Sequence, residues 1–550
     1  MMEMRHKLLA ATLSLLLAAC SSAAGFQLLP TTMPLIDPFP LGGDPPDPAE
    51  ESVSIDETAP EDITFWIAPE VPDALRVIAE MLSTLEDVVI VERAEDAQVR
   101  LEAGGDNPIS VWIYAVVVPF PRTRDAISTA TLGDIWTATS GNSRMYASAN
   151  TIAAFESLWG PAAAENVIQT PASVDPEVIW YSSPVIALVP FEELNIRWKV
   201  LQVDGHSPLQ RDFDPSQYPL VVVFGLSGPQ ESVDAVESML AWPAINREPQ
   251  KLTVLAMTGT TALARTTAAR MEQYGTAYPA RDILPWFQGA DIVHVSNEVS
   301  FAEDCPTPNP LQVDLKFCSA PENQELLVLI GADLIELTGN HNLDWGSEAY
   351  LYTLDIYAEL GIPTYGGGSN LEEALQGQVL SHHGNRFLFL GCNRAGPPTA
   401  WAGEDTPGAA TCDFDILLPQ ITAAREAGYI PVFTFQWYEN ETVSYALREA
   451  ALSVVEAGAL IVSGSQAHQA LGFEFYADAF IHYGLGNLFF DQMQAEEFRR
   501  EFIDRYIIYD GRLISVELLT AMLEDYARPR PMISWEREVF LQEIFEVSVW

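Results

Sequence analysis

Positive charge is scarce in this chain: 28 Lys and Arg stand against 76 Asp and Glu over 550 residues, a formal net charge of -48. Such a surface repels a phosphate backbone, which excludes nucleic acid as a partner. Polyanions and anionic lipid surfaces are poor partners too, unless a local basic patch or a cation intervenes. Long apolar runs are missing beyond Cys20, so no transmembrane helix is expected in the body of the chain. Cysteine is rare, five in all, and no C-x-x-C spacing supports a thiolate zinc site. No G-x-S-x-G elbow is present. "GGG" at 366–368 lacks the Lys and helix context of a phosphate-binding loop and reads as a turn cluster.

What is present describes an exported globular protein. Composition is 48% hydrophobic, 10% aromatic and 19% charged, which fits neither disorder nor a fibrous repeat. The length calls for two or more domains. "MRHK", then "LLAATLSLLLAA", then Cys20 reads as a signal peptide over 1–19, because the apolar core is too short to span a bilayer. "LAAC" resembles the bacterial lipobox, which implies cleavage before Cys20 and lipidation of its thiol. The expected address is therefore the outer face of the cytoplasmic membrane, at the cell surface or in the periplasm, with the membrane as a partner through the lipid. Residues 20–60, rich in Pro, Asp, Glu, Gly and Ser, read as a solvated tether. The other cysteines fall in two close pairs. In an exported protein they read as the bridges Cys305–Cys318 and Cys392–Cys412, each contributing about 3 kcal/mol by loop entropy.

Residues 61–245 alternate strands and helices: "ITFWIA", "PDALRVIAEMLSTL", "DVVIVE", "SVWIYAVVVPFP", "PVIALVPFEEL" and "YPLVVVFGL". They read as an α/β domain. "VVVPFPRTRDAISTATLGDIWTA" and "SSPVIALVPFEEL" resemble the hinge segments of type II periplasmic solute-binding proteins. After "NREPQK" a second α/β series runs over 251–550. In "ADIVHVSNE", "ADLIELTGNHN", "RFLFLGCN", "YIPVFTFQW" and "ALIVSGSQAH", a buried apolar strand runs straight into a polar loop. Ligands of such sheets bind where several strands end together. "GSEAYLYTLDIYAELG" reads as a helix with Tyr350, Leu351, Leu354 and Tyr357 on one stripe, stopping at Gly361.

These segments resemble the CapA family, named for poly-γ-glutamate capsule synthesis proteins, whose fold is a calcineurin-like metallophosphoesterase sandwich. The resemblance covers about 251 to 550. "GNHNLDWG" resembles N-N-H-x-x-D-x-G and puts Asn340, His341, Asp344 and Gly346 in register. "GFEFYADAFIHYGLGNLFFDQ" resembles the family's G-x-E-x-Y…Y-S-L-G-N-F-x-F-D. "ADIVHVSNEVSF" resembles A-D-x-x-x-x-N-L-E and puts Glu298 on the family's carboxylate, with Ser296 in place of the Asn. Other departures weaken the implied metal site. Thr260 stands where the first loop has Asp, Gln436 replaces the His of H-W-G, and Gln466 replaces a His of G-H-H-P-H while His468 remains.

The resemblance implies an α/β; N-terminal α/β solute-binding-like domain followed by a four-layer α/β/β/α metallophosphatase-like sandwich. A two-metal centre needs a bridging carboxylate and several imidazoles, and these substitutions remove an anion and two nitrogen donors. Glutamine oxygen suits Mg²⁺ or Ca²⁺ better than zinc. The expected metal ligands are Glu298, Asn340 and His468, with His341 and Glu298 as catalytic candidates. Thr260, Gln436, Gln466 and Asp344 line the cleft, and the cofactor is one divalent cation (Mg, Mn or Ca) or none. Plain alternatives stand beside these: Asp344 is expected to cap the following helix, and His341 and His468 serve as satisfied loop histidines. His294 and His482 are expected in packed strands, and His382 and His383 in a solvated turn. The leading expectation is a capsule-type lipoprotein engaging a cell-envelope polymer or the capsule machinery. The alternatives are a one-metal hydrolase of phosphoester or amide bonds and a solute receptor working through the N-terminal half.

Overall fold

The computed structural model describes residues 62–139, 143–171, 173–182 and 184–550. The leader, Cys20 and the tether up to residue 60 lie outside them. No helix of the described residues is long and apolar enough to cross a membrane.

The N-terminal half is built on one nine-stranded sheet. Its spine is the 13-residue strand Asn107–Pro119. This strand pairs antiparallel with Val221–Ser227 over its first half, and with Val185–Pro190 and Trp198–Val200 over its second. Its run Trp112 to Val118 is buried throughout, as expected of a strand covered on both faces. Helices Asp73–Glu80 and Ala149–Trp159 connect outer strands, and Gln230–Met239 follows the inner strand Val221–Ser227.

The C-terminal half is a sandwich of two sheets. The first places Leu252–Thr258, Ile292–Asn297, Leu334–Glu336 and Thr364–Tyr365 in parallel and extends antiparallel through Arg500–Tyr509, Arg512–Glu524 and Arg528–Pro531. The second aligns Asn385–Asn393, Ile430–Gln436, Ile461–Ser465 and Ala479–His482 in parallel. Side chains alternate by the two-residue period of a strand. Leu255, Ile292, Leu334 and Tyr506 meet Phe389, Val432, Ile461 and Phe480 between the sheets. On the outer faces, Val254, Val293 and Ile335 pack with helices Arg265–Tyr274 and Ser347–Leu360. Leu388, Phe433 and Val462 pack with helices Phe414–Glu426 and Tyr445–Glu456. The result is the four-layer α/β/β/α sandwich. Both disulfides form, Cys305–Cys318 and Cys392–Cys412.

The described residues fall in one compact unit. "NREPQK" is no loose linker: Arg247 is 1% exposed and donates to the Pro208 and Gln210 carbonyls at 3.0 and 2.5 Å. Two expectations need correction. Helix Ser347–Leu360 buries Tyr350, Thr353, Ile356 and Tyr357, while Leu351 is 39% exposed. The buried stripe is rotated because Thr353 Oγ1 accepts from Phe301 N at 2.8 Å, drawing that face inward. Asp344 does not cap this helix: the N-cap is Gly346, with no side-chain cap. His382 is half-buried and meets Thr253 Oγ1 at 3.1 Å, while His383 is exposed in the turn and meets the Leu252 carbonyl at 2.8 Å.

Candidate functional site

Parallel strands with no helix over their carboxyl ends leave loops there to collect polar groups. Here the ends of both sheets meet at one rim. Thr260 bridges to Asn487 and pairs in register with Ser296. His341 bridges to Val299, one residue past Glu298. The loops approach so closely that Gly339 has no room for a side chain: an added Cβ would lie 2.4 Å from Glu298 Cα.

At the centre lies Gln436, fully buried at the end of its strand. Its Nε2 faces Glu298 Oε2 at 3.4 Å, Asn340 Oδ1 at 3.1 Å and Gln466 Oε1. Its Oε1 accepts from Ser465 Oγ at 2.5 Å. Gln466 is positioned by its own N–H, which donates to Thr260 Oγ1 at 3.2 Å, and by Nε2, which donates to Glu439 Oε1 at 3.1 Å. Thus Glu298, Asn340, Gln436, Gln466 and Thr260 form one network. Glu439, one residue past "QWY", joins it and was not anticipated.

His468 reaches this network through Glu439, whose Oε1 lies 3.9 Å from His468 Nε2. Asn487 Nδ2 donates to the His468, Phe498 and Gln492 oxygens, each at 3.2 Å. Its Oδ1 must therefore be the acceptor, and His468 Nδ1 donates to it at 2.9 Å. That tautomer leaves Nε2 as the basic nitrogen, the arrangement a ligand or proton acceptor requires. His341 Nδ1 meets Asp344 Oδ2 at 2.7 Å, and the same oxygen accepts from Phe317 N at 2.9 Å. Burial opposes charge on His341. The Asp344 hydrogen bond, helped by the charges of Glu298 and Glu439, outweighs it and holds its pKa above the ordinary imidazole value.

A second row lies beneath the rim. Glu336 accepts from Thr338 Oγ1 and stands 3.4 Å from His294 Nε2, which meets Tyr365 OH at 2.8 Å. His482 pairs with Asp504 at 2.6 Å inside the sandwich. Both histidines are core residues, as expected. At the outer side Arg265 lies between the Phe317 and Phe490 rings, at 4.8 and 5.2 Å, and pairs with Asp491. It ties the first loop to the last.

Thr260 supplies no anion to a two-metal centre. Among the described residues no group of three or more His, Cys, Asp or Glu is arranged to hold a metal. The remaining oxygens of Glu298, Asn340 and Gln466 suit at most one hard cation. Glu298 Oε1 is buried with no hydrogen-bond partner, which leaves room for such a ligand. Against it, the Gln436 amide already supplies hydrogen to these oxygens.

Residues 254–492 match the family described as bacterial capsule synthesis protein PGA_cap. Over this segment the chain is similar to CapA-type proteins. Its CapA-type segment is 27% identical over 257 residues to the capsule biosynthesis protein CapA of Bacillus anthracis, covering 46% of this chain and 62% of that one. It is 26% identical over 231 residues to the PGA biosynthesis protein CapA of Bacillus subtilis, covering 40% and 59%. The chain thus spans about three fifths of these relatives' length. Among solved structures, a 5'-nucleotidase precursor from Thermus thermophilus shares 13% identity at a TM-score of 0.31, covering 54% of this chain and 58% of that one. A phosphate transport receptor from Vibrio cholerae shares 13% at 0.24, covering 30% and 86%.

Proposed function

We propose that this protein is an exported, lipid-anchored CapA-type protein whose rim binds a cell-envelope polymer without hydrolysing it. The ancestral metal centre is reduced to at most one weakly held cation. The observation that carries this reading is the position of Gln436: an uncharged amide donor faces the oxygens of Glu298, Asn340 and Gln466. Those three residues would hold a cation, which would bridge to anionic groups of the polymer or polarise a carbonyl. The rest of the work falls to the chain's own donors, His341 and Arg265, at the loop edge. They suit an anionic or hydroxyl-rich polymer on an otherwise acidic protein. The two disulfides suit an exported address.

The test uses the full chain. Elemental analysis after desalting should find less than one divalent cation per chain, and phosphodiester and amide substrates should turn over no faster than in buffer. Two bound cations would overturn the reading. So would turnover that disappears together with the metal in Glu298→Gln or His468→Ala, the outcome expected of a one-metal hydrolase built on Glu298 Oε1 and His468 Nε2. Mass spectrometry of the mature N-terminus checks the anchor, and an unmodified Cys20 counts against it.

A further inference from the structure

Where the N-terminal sheet meets the sandwich, the two halves enclose a cavity of about 230 Å³. It shares no residue with the rim. In a chain so poor in cations, four of them line it: Arg122, Lys199, Arg505 and Arg537. Only Asp125 and Glu517 oppose them. Asp125 is spent on two partners, Arg537 at 2.8 and 3.0 Å and Lys199 at 2.6 Å. Glu517 is spent on Arg505 at 2.6 Å.

Arg122 is left over. Its donors go to the carbonyls of Pro121, Trp180 and Ser182 at 2.8–3.2 Å, and among the described residues no carboxylate pairs with it. Those three bonds leave guanidinium donors unused. Two polar groups of the wall are buried without a partner, Ser515 Oγ and Arg505 Nε. A buried donor left unmet is unfavourable, and a complementary acceptor relieves it. Burial lowers the Arg122 pKa and pulls Lys199 down to about 8 against the pull of Asp125.

Most of the remaining wall is apolar, with Phe120, Trp286 and Phe545 among its residues, and Gln202 and Thr520 add polar groups. A cavity of about 150 Å³ accommodates benzene, so this one has room for roughly eight to ten non-hydrogen atoms. Inorganic phosphate would leave much of it unfilled. We propose that this cavity is a binding site for a small organic carboxylate with a short apolar chain. The carboxylate is received by Arg122 and the Ser515 hydroxyl, and the chain lies against the aromatic wall. Because the wall is drawn from both halves, the ligand would also clamp them together.

Calorimetric titration of the full chain with hexanoate tests this, with hexanol, hexylamine and inorganic phosphate as comparisons. Hexanoate should saturate at one per chain and bind at least tenfold more tightly than any of the three. Arg122→Gln should weaken it at least tenfold and Ser515→Ala several-fold, while Ser515→Leu, which fills the space, should abolish it. Circular dichroism identifies a variant that fails to fold, and the two Ser515 variants decide the question if Arg122→Gln does. The proposal is overturned if hexanoate does not bind, if hexanol or phosphate binds equally well, or if the folded variants bind like the parent.

Discussion

Gly339 shows how little slack the rim has at the scale of single residues. Alanine there would press its methyl against Glu298 Cα, which is backbone and cannot rotate away. Gly339→Ala should therefore cost about 1–3 kcal/mol, the range for overpacking, read as a lowered urea midpoint at unchanged slope. An unchanged midpoint would mean that the loop yields freely. The glutamines make a second residue-scale prediction. Thr260→Asp with Gln436→His and Gln466→His restores one carboxylate and two imidazoles to the rim. Without metal the buried Asp lacks a partner, so the triple variant should melt below the parent. At a Mn²⁺ concentration a hundred times its dissociation constant it should regain about 2.7 kcal/mol. The parent should show no comparable shift. If both respond alike, the glutamines are not what weakens the centre.

At the scale of elements, the helical turn Phe191–Glu193 places two acids side by side at the end of strand Val185–Pro190. Glu192 is held by Trp112 Nε1 at 2.9 Å and Asn246 Nδ2 at 2.7 Å. Burial first, then the charges of Glu192 and Asp73, raises Glu193 to about 7. A raised acid pKa favours the protonated folded form. Its contribution is complete below the ordinary value of 4.5 and is lost as pH rises through about 7. Thermal melts should show stability falling across that window, and Glu193→Gln should flatten the fall; an identical slope in the variant would remove Glu193 as its cause. Elements of this kind were unevenly legible in the sequence. The parallel strands could be read because their apolar runs are continuous and end at polar loops. The long hairpin Arg500–Tyr509 and Arg512–Glu524 went unread, since buried Glu501, Asp504 and Ser515 interrupt its alternation. Burial alone keeps the Glu501 carboxyl far above its ordinary pKa, a state no local pattern announces. The rim loops were legible from apolar strands ending in polar residues, and the roles of single rim residues from family resemblance. Glu439 escaped because its role comes from a fold that brings it to Gln466 and His468.

At the scale of the whole molecule, the two halves hold each other by more than chain continuity. Phe120 packs on Phe473 and Phe475 at 5.8 and 5.0 Å, and Phe191 on Tyr509 at 5.0 Å. Asn246 and Glu248 bond Tyr509 OH at 3.1 and 2.9 Å. One charged link is Asp125, which joins Lys199 of its own half to Arg537 of the last helix. Burial alone would raise the Asp125 pKa. The hydrogen bond from Arg537 and the charges of Lys199 and Arg537 outweigh it and hold the group at about 2, below the ordinary 3.8. A depressed acid pKa gives stability that is present above about pH 4 and lost as pH falls toward the folded value. The side chain is 47% exposed, so solvent and salt reduce what the link contributes. Wild-type stability should therefore drop between about pH 4 and pH 2. Asp125→Asn should be less stable at pH 7, less steep across the acid window and less sensitive to salt. Should the variant keep both the neutral stability and the acid slope of the parent, the halves are held by contacts other than Asp125.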